Sequence, residues 1–187
     1  YKSIDLEKSV RRPNGTSSFE LFYQLTVKAV SKLFELGCTM VILACNTTSA
    51  KALSTIQQIN LPIIDATRRV LGVIRPTAEC IGEITRSRHV GILATAGTIK
   101  SESYLLEIHK LSPDIVVTGE ACPMWVSLVE NNEYQSEGAD YFVKQHINRL
   151  LDKDPMIDTI ILGCTHYPLL LDKIRQFTPG HIRIIAQ

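Results

Sequence analysis

Two cysteines stand in nearly the same local sequence. Cys45 follows Val41-Ile42-Leu43-Ala44 and precedes Asn46-Thr47; Cys164 follows Ile160-Ile161-Leu162-Gly163 and precedes Thr165-His166. Each is a thiol carried by a run of branched apolar residues into a polar turn. A thiolate is a base that can be held near neutral working pH, and a thiol can give the proton back. Two such groups on opposite faces of one small ligand suit removal of a proton from a carbon beside a carboxylate and its return on the other side. Exchanging the two roles runs the reaction backward, so a matched pair suits inversion at that carbon.

The neighbours of the two thiols could assist. Residues 47–59 read as a helix, so Cys45 stands just before a helix start, where free N–H groups and the dipole favour an anion, a thiolate included. Asn46 and Thr47 could hydrogen-bond a carboxylate or an amino group. Gly163 lets the chain turn or approach a ligand closely. His166, two residues from Cys164, could tune the thiol's protonation or donate to a carboxylate. Glu130 ends Val126-Ser127-Leu128-Val129 and could assist His166 or Cys164. Thr95, Thr98 and Thr165 add donors for a substrate carboxylate, as a carbanionic transition state requires. Each residue also has a structural reading: buried strand-end cysteines, capping Asn, Thr and His side chains, and a solvated glutamate beside Asn131. The shared context of the two cysteines favours the chemical reading, because two unrelated structural cysteines have no reason to share it. Cys38 and Cys80 read as buried small hydrophobes, Cys122 as structural, and His89, His109, His146 and His181 as surface or structural residues.

Positioning these groups is the work of an alternating pattern. Helix is expected over 17–36, with Phe19, Phe22, Leu25, Ala29, Leu33 and Leu36 at helical spacing and Gly37 as its stop. A strand is expected at 39–44, the helix at 47–59, and a short strand at 61–65. Residues 68–84 read as a helix in which Pro76 marks a kink or boundary. Strands are expected at 89–94, 114–118 and 158–162, helices at 101–111, 138–153 and 169–177, a loop opened by Cys122-Pro123 into 124–130, and a last strand-like run at 181–186. Strand and helix alternating in this way imply an α/β protein with mainly parallel sheets flanked by helices. The likeness of the cysteine segments implies two pseudo-symmetric subdomains, residues 1–70 plus 169–187 and residues 71–168, with the active site in the cleft between them. Ligands bind beyond the carboxyl ends of strands in such sheets, which is where Cys45, Thr95, Cys122 and Cys164 fall.

Bulk composition narrows the class. The chain has 187 residues, 45% hydrophobic and 21% charged, with a formal net charge of +1. No basic excess attracts nucleic acid or an anionic membrane, and the longest apolar runs are far shorter than a membrane span. None of the five cysteines forms a CxxC pair, so no metal site is expected. An odd cysteine count without an export signal points to reduced thiols in the cytoplasm. A pyridoxal-phosphate mechanism would need a lysine in a comparable strand-end context; Lys100 is nearest and does not have one.

Ala44-Cys45-Asn46-Thr47 together with Gly163-Cys164-Thr165-His166-Tyr167-Pro168 resembles the aspartate/glutamate racemase superfamily. The runs GILATAGTIKS (91–101), ACPMWVSLVE (121–130) and GCTHYPLL (163–170) resemble its glutamate racemase branch. The resemblance covers nearly all the chain from Pro13 onward. It implies cofactor-independent interconversion of L- and D-glutamate, which supplies D-glutamate for peptidoglycan, by a homodimer. By motif position it implies that Cys45 handles the proton of the D-isomer and Cys164 that of the L-isomer. Asn46, Thr47, Thr95, Thr98, Thr165 and His166 then meet the substrate, and Glu130 assists His166. Two departures accompany it. The family's Asp-Ser-Gly motif, whose aspartate assists the first thiol, does not occur, and part of the N-terminal region is expected to be missing. Pro13-Asn14-Gly15 stands for the family's Pro-Tyr-Gly, which makes Asn14 and Gly15 substrate-site candidates. An aspartate racemase, or a degenerate binder of acidic amino acids, is the alternative.

Overall fold

A computed structural model describes Lys2 and residues 19–186. The chain divides into two units, Tyr1–Val73 and Ile74–Gln187. In the first, helix α1 (Phe19–Glu35) buries Val30 and Phe34, four apart on one stripe. It stops where Gly37 turns left-handed at φ +89°. The Gly37 N–H donates to the Phe34 carbonyl at 2.9 Å and the Cys38 N–H to that of Leu33 at 3.1 Å, the paired bonds of a glycine stop. Strand β1 (Met40–Leu43) then pairs in parallel with β2 (Arg69–Gly72). Between them, α2 (Asn46–Thr55) runs through a wide π-type turn at Ile56–Asn60 into α3 (Leu61–Asp65). Val41, Leu43, Ala52, Ile56 and Val70 join Val30 and Phe34 in one core.

Two expectations change here. Residues 61–65 are helical, and the strand lies at Arg69–Gly72, inside the stretch expected to be helix. Pro62 occupies the first turn of α3, where its missing N–H costs nothing. Ile63 is left 81% exposed, so the apolar run does not serve a buried strand. Asp65 then redirects the chain: its carboxylate accepts from the Thr67 N–H and from Arg68 Nε, both at 2.9 Å.

The second unit opens with α4 (Ile74–Ile84), which holds Pro76 in its first turn without breaking. Then come β3 (His89–Ala94), α5 (Ala96–Lys100), α6 (Ser103–Leu111), β4 (Val116–Ala121), α7 (Pro123–Glu130) and α8 (Glu137–Lys153). Strand β5 (Thr159–Gly163), a 3₁₀ turn at Tyr167–Leu170, α9 (Leu171–Phe177) and β6 (Arg183–Ala186) complete it. The strands make one parallel sheet in the order β4-β3-β5-β6. All of β5 and all but the first residue of β3 are buried, as a parallel sheet covered on both faces requires. Leu93, Trp125, Val143, Ile147, Leu150, Ile160, Leu162 and Ile174 share its core. The alternation of strand and helix thus gives the mixed α/β architecture it implied.

The division of the chain differs from the expected one at its end. Residues 169–187 are expected in the first subdomain, yet β6 pairs with β5 from Thr159↔Arg183 to Leu162↔Ala186. Ile174 of α9 and Ile182 also enter the core of this sheet. Their apolar side chains are buried against β5 and α8, so this segment lies in the second unit.

Candidate active site

In the first unit, β1 delivers Cys45 to the N-cap of α2. Its backbone is extended (φ −80°, ψ 125°) and its thiol does not cap the helix. The Cys45 carbonyl takes the first helical hydrogen bond, from the Ser49 N–H at 2.9 Å. The thiol-bearing residue is half-buried, while Asn46, Thr47, Thr48 and Ser49 are buried. Ser49 Oγ donates to the Leu43 carbonyl at 2.8 Å and accepts from the Val73 N–H at 3.4 Å, which fastens the turn to both strands. Gly72 permits this approach: a Cβ there would lie 2.7 Å from Leu53 Cδ2 and 3.0 Å from Ser49 Oγ.

In the second unit the register sets the site. Ala94 pairs with Ala121 on one side and Gly163 on the other. Three strands therefore end level, and Thr95, Cys122 and Cys164 are the next residues out, on the edge where such sheets bind ligands. Cys164 is 8% exposed. Its Sγ lies 3.8 Å from His166 Nδ1, and His166 Nε2 lies 3.3 Å from Glu130 Oε1. The two ring nitrogens of His166 therefore face a thiol sulfur on one side and a carboxylate on the other. The three side chains form a thiol–imidazole–carboxylate chain whose exposure grows outward: His166 is 17% exposed and Glu130 43%. Thr95 caps α5, its Oγ1 accepting from the Thr98 N–H at 3.3 Å, and the two hydroxyls are 3.1 Å apart. Thr165 is exposed beside Cys164. Asn14 and Gly15 lie outside the described residues.

Some residues fall differently from their sequence reading. Cys80 is exposed, not buried. Cys122 is fully buried, with its S–H toward the Glu120 carbonyl at 3.7 Å; burial pushes its thiol well up, in keeping with a structural role. His146 is a buried partner of Glu120, Nδ1 to Oε1 at 2.8 Å, and Lys153 Nζ donates to Oε2 at 2.6 Å. Burial alone would raise the Glu120 carboxyl, but hydrogen bonds from Lys153 and His146 outweigh it and hold it below its ordinary value. The signal for His146 is its spacing with Val143, Ile147 and Leu150 on the inner stripe of α8. Tyr167 has no place among the sequence candidates, although it is among the most deeply buried large side chains.

Fold and site together define an α/β protein that carries, at the end of a parallel strand, a thiol beside an imidazole and a carboxylate. Residues 5–186 match the model of the Asp/Glu/Hydantoin racemase family, and the chain belongs to that family. It is 38% identical over 182 residues to the glutamate racemase of Enterococcus faecalis, covering 97% of this chain and 64% of that protein. Among solved structures it is similar to a glutamate racemase isoform from Bacillus anthracis, with a TM-score of 0.84 and 33% identity over 94% of this chain and 63% of the other. The Francisella tularensis glutamate racemase, solved in complex with D-glutamate, gives a TM-score of 0.79 at 28% identity, again covering 94% of this chain and 62% of that one. The chain thus spans a little under two thirds of the length of the relatives it matches.

Proposed function

We propose that this protein interconverts L- and D-glutamate without a cofactor, with Cys45 and Cys164 as the two bases. Cys164 takes the α-proton from the L-isomer and Cys45 returns one to the opposite face; the reverse direction exchanges their roles. The observation that carries the reading is the Cys164–His166–Glu130 chain at the end of β5: a sulfur with an imidazole beside it to accept and return its proton, and a carboxylate to steady the imidazolium. Cys45 at the start of α2, with Asn46 and Thr47 beside it, suits the second base, because helix-start N–H groups favour negative charge. Asn46, Thr47, Thr95, Thr98 and Thr165 are the proposed substrate contacts, with Asn14 and Gly15 from the N-terminal region. Family membership and glutamate racemase relatives support glutamate as substrate, and with it supply of D-glutamate to peptidoglycan by a cytoplasmic homodimer.

Circular dichroism with purified protein tests this directly. L-Glutamate should lose its optical signal, solvent deuterium should enter the α-position, and Cys45→Ala and Cys164→Ala should each abolish turnover. Wild-type activity in either variant would overturn the two-base mechanism. Faster turnover of aspartate would reassign the substrate, and glutamate binding without exchange would make the protein a binder.

A further inference from the structure

We propose that Tyr167 is a positioning residue that clamps α7 to the Cys164 turn and so holds Glu130 and His166 in line with the thiol; the inference rests on the racemase reading of this site. Tyr167 is fully buried. Its N–H donates to the Cys164 carbonyl at 3.1 Å, and its O–H donates to the Cys122 carbonyl, also at 3.1 Å. Cys122 is the residue immediately before α7, and Glu130 is the last residue of that helix. Eight residues of helix span about 12 Å. The turn is therefore fastened to α7 at both ends, by the Tyr167 hydroxyl at one and by the Glu130–His166 pair at the other. Trp125, from within α7, packs edge-on against the Tyr167 ring with centroids 4.8 Å apart. A half-exposed ion pair is too weak to fix the register of a helix alone, so the buried end must carry it. Burial pushes the Tyr167 phenol well up, which keeps the hydroxyl a donor throughout the working range.

Tyr167→Phe removes the hydroxyl and keeps the ring on Trp125. The Cys122 carbonyl retains the Trp125 backbone N–H at 3.3 Å, so the variant leaves no stranded acceptor. Iodoacetamide labelling of Cys164 and Cys45 in the same sample, followed by peptide mass spectrometry between about pH 6 and 9, reads the effect without turnover. The Cys164 rate should change by about threefold or more and its pH profile should depart from that of wild type, while the Cys45 rate stays put. No change at Cys164, or an equal change at both thiols, would overturn the positioning role. Wild-type protein that lacks racemase activity, but whose Cys164 responds selectively to Tyr167→Phe, would sink the racemase reading and leave the clamp standing.

Discussion

Glu130→Gln separates a carboxylate that steadies an imidazolium from one that moves a proton itself. The substitution keeps the side-chain shape and removes the charge. Glu130 Oε1 lies 3.3 Å from His166 Nε2, and the glutamate side chain is 43% exposed. Ion pairs so open to water contribute about 0.5–1 kcal/mol, which converts to about a two- to fivefold loss in kcat/KM. A carboxylate acting as the base would cost about a hundredfold or more. Two features sharpen the expectation. The exposed pair is screened, so added salt should bring wild-type and variant rates together. The enantiomers also have equal free energy, so kcat/KM must fall by one factor in both directions, wherever the lesion lies. A defect on the Cys164 side shows instead in isotope effects. The primary effect from α-deuterated L-glutamate should rise in the variant, while that from the D-isomer falls. Initial rates by circular dichroism from each enantiomer, with protium and deuterium at the α-carbon and at low and high salt, give all three readings. A loss above about a hundredfold, or isotope effects that move together, would refute the supporting role.

Asp158 accepts from Thr85 Oγ1, the Arg86 and Ser87 N–H groups and Thr159 Oγ1, at 2.7, 2.7, 2.7 and 2.8 Å. Burial would raise its carboxyl, but these four donors hold it far below its ordinary value. Because the folded-state value lies below the unfolded one, this stabilisation is present above the unfolded value and is lost as acid protonates the native state. Urea titrations should show wild-type stability declining below about pH 5, and Asp158→Asn should be weaker by about 2–4 kcal/mol at neutral pH with a shallower acid decline. A variant as stable as wild type would refute it. At Gly163 an added Cβ would lie 3.0 Å from both Ala94 Cβ and Tyr104 Cε2. Gly163→Ala should therefore cost about 1–3 kcal/mol and slow Cys164 alkylation; unaltered melting and labelling would show that the strand end yields freely.

The strand-end thiols were legible because each follows a continuous apolar run; residues 160–163 form a strand buried on both faces, whereas in β1 only Val41 and Leu43 are buried and Ile42 stays exposed. Gly37 was legible because only a residue at ease with positive φ ends α1 in that way. Strand β2 was not, since its burial rests on Val70 alone among four residues, too little pattern against the helical spacing of residues 74–84. Residues 61–65 misled because β-branched isoleucines imitate a strand, while the structure leaves Ile63 in water. At the site, the two-residue spacing of Cys164 and His166 forecast their contact. The closeness of Glu130 to His166 depends on the direction of α7, which no local spacing encodes. Tyr167 carried no signal beyond its apolar neighbours Leu169 and Leu170, because the phenol's partner is a backbone carbonyl remote in sequence.

Cys122 and Cys164 show why a place at the end of a strand does not by itself fix the surroundings of a thiol. They come directly after residues that pair with the same Ala94 on its two sides, so the sheet presents them at one level. The difference lies in the next few residues of chain. Pro123 begins α7 at once and brings Trp125 into the core beside Cys122; the thiol is sealed, and desolvation disfavours its charged form. After Cys164 the next helical turn waits until Tyr167. The intervening Thr165 and His166 open the strand end and place an imidazole 3.8 Å from the sulfur. The length of the turn between strand and helix thus sets what surrounds each thiol: with no intervening residue Cys122 is sealed in the core, and with two Cys164 has an imidazole beside it.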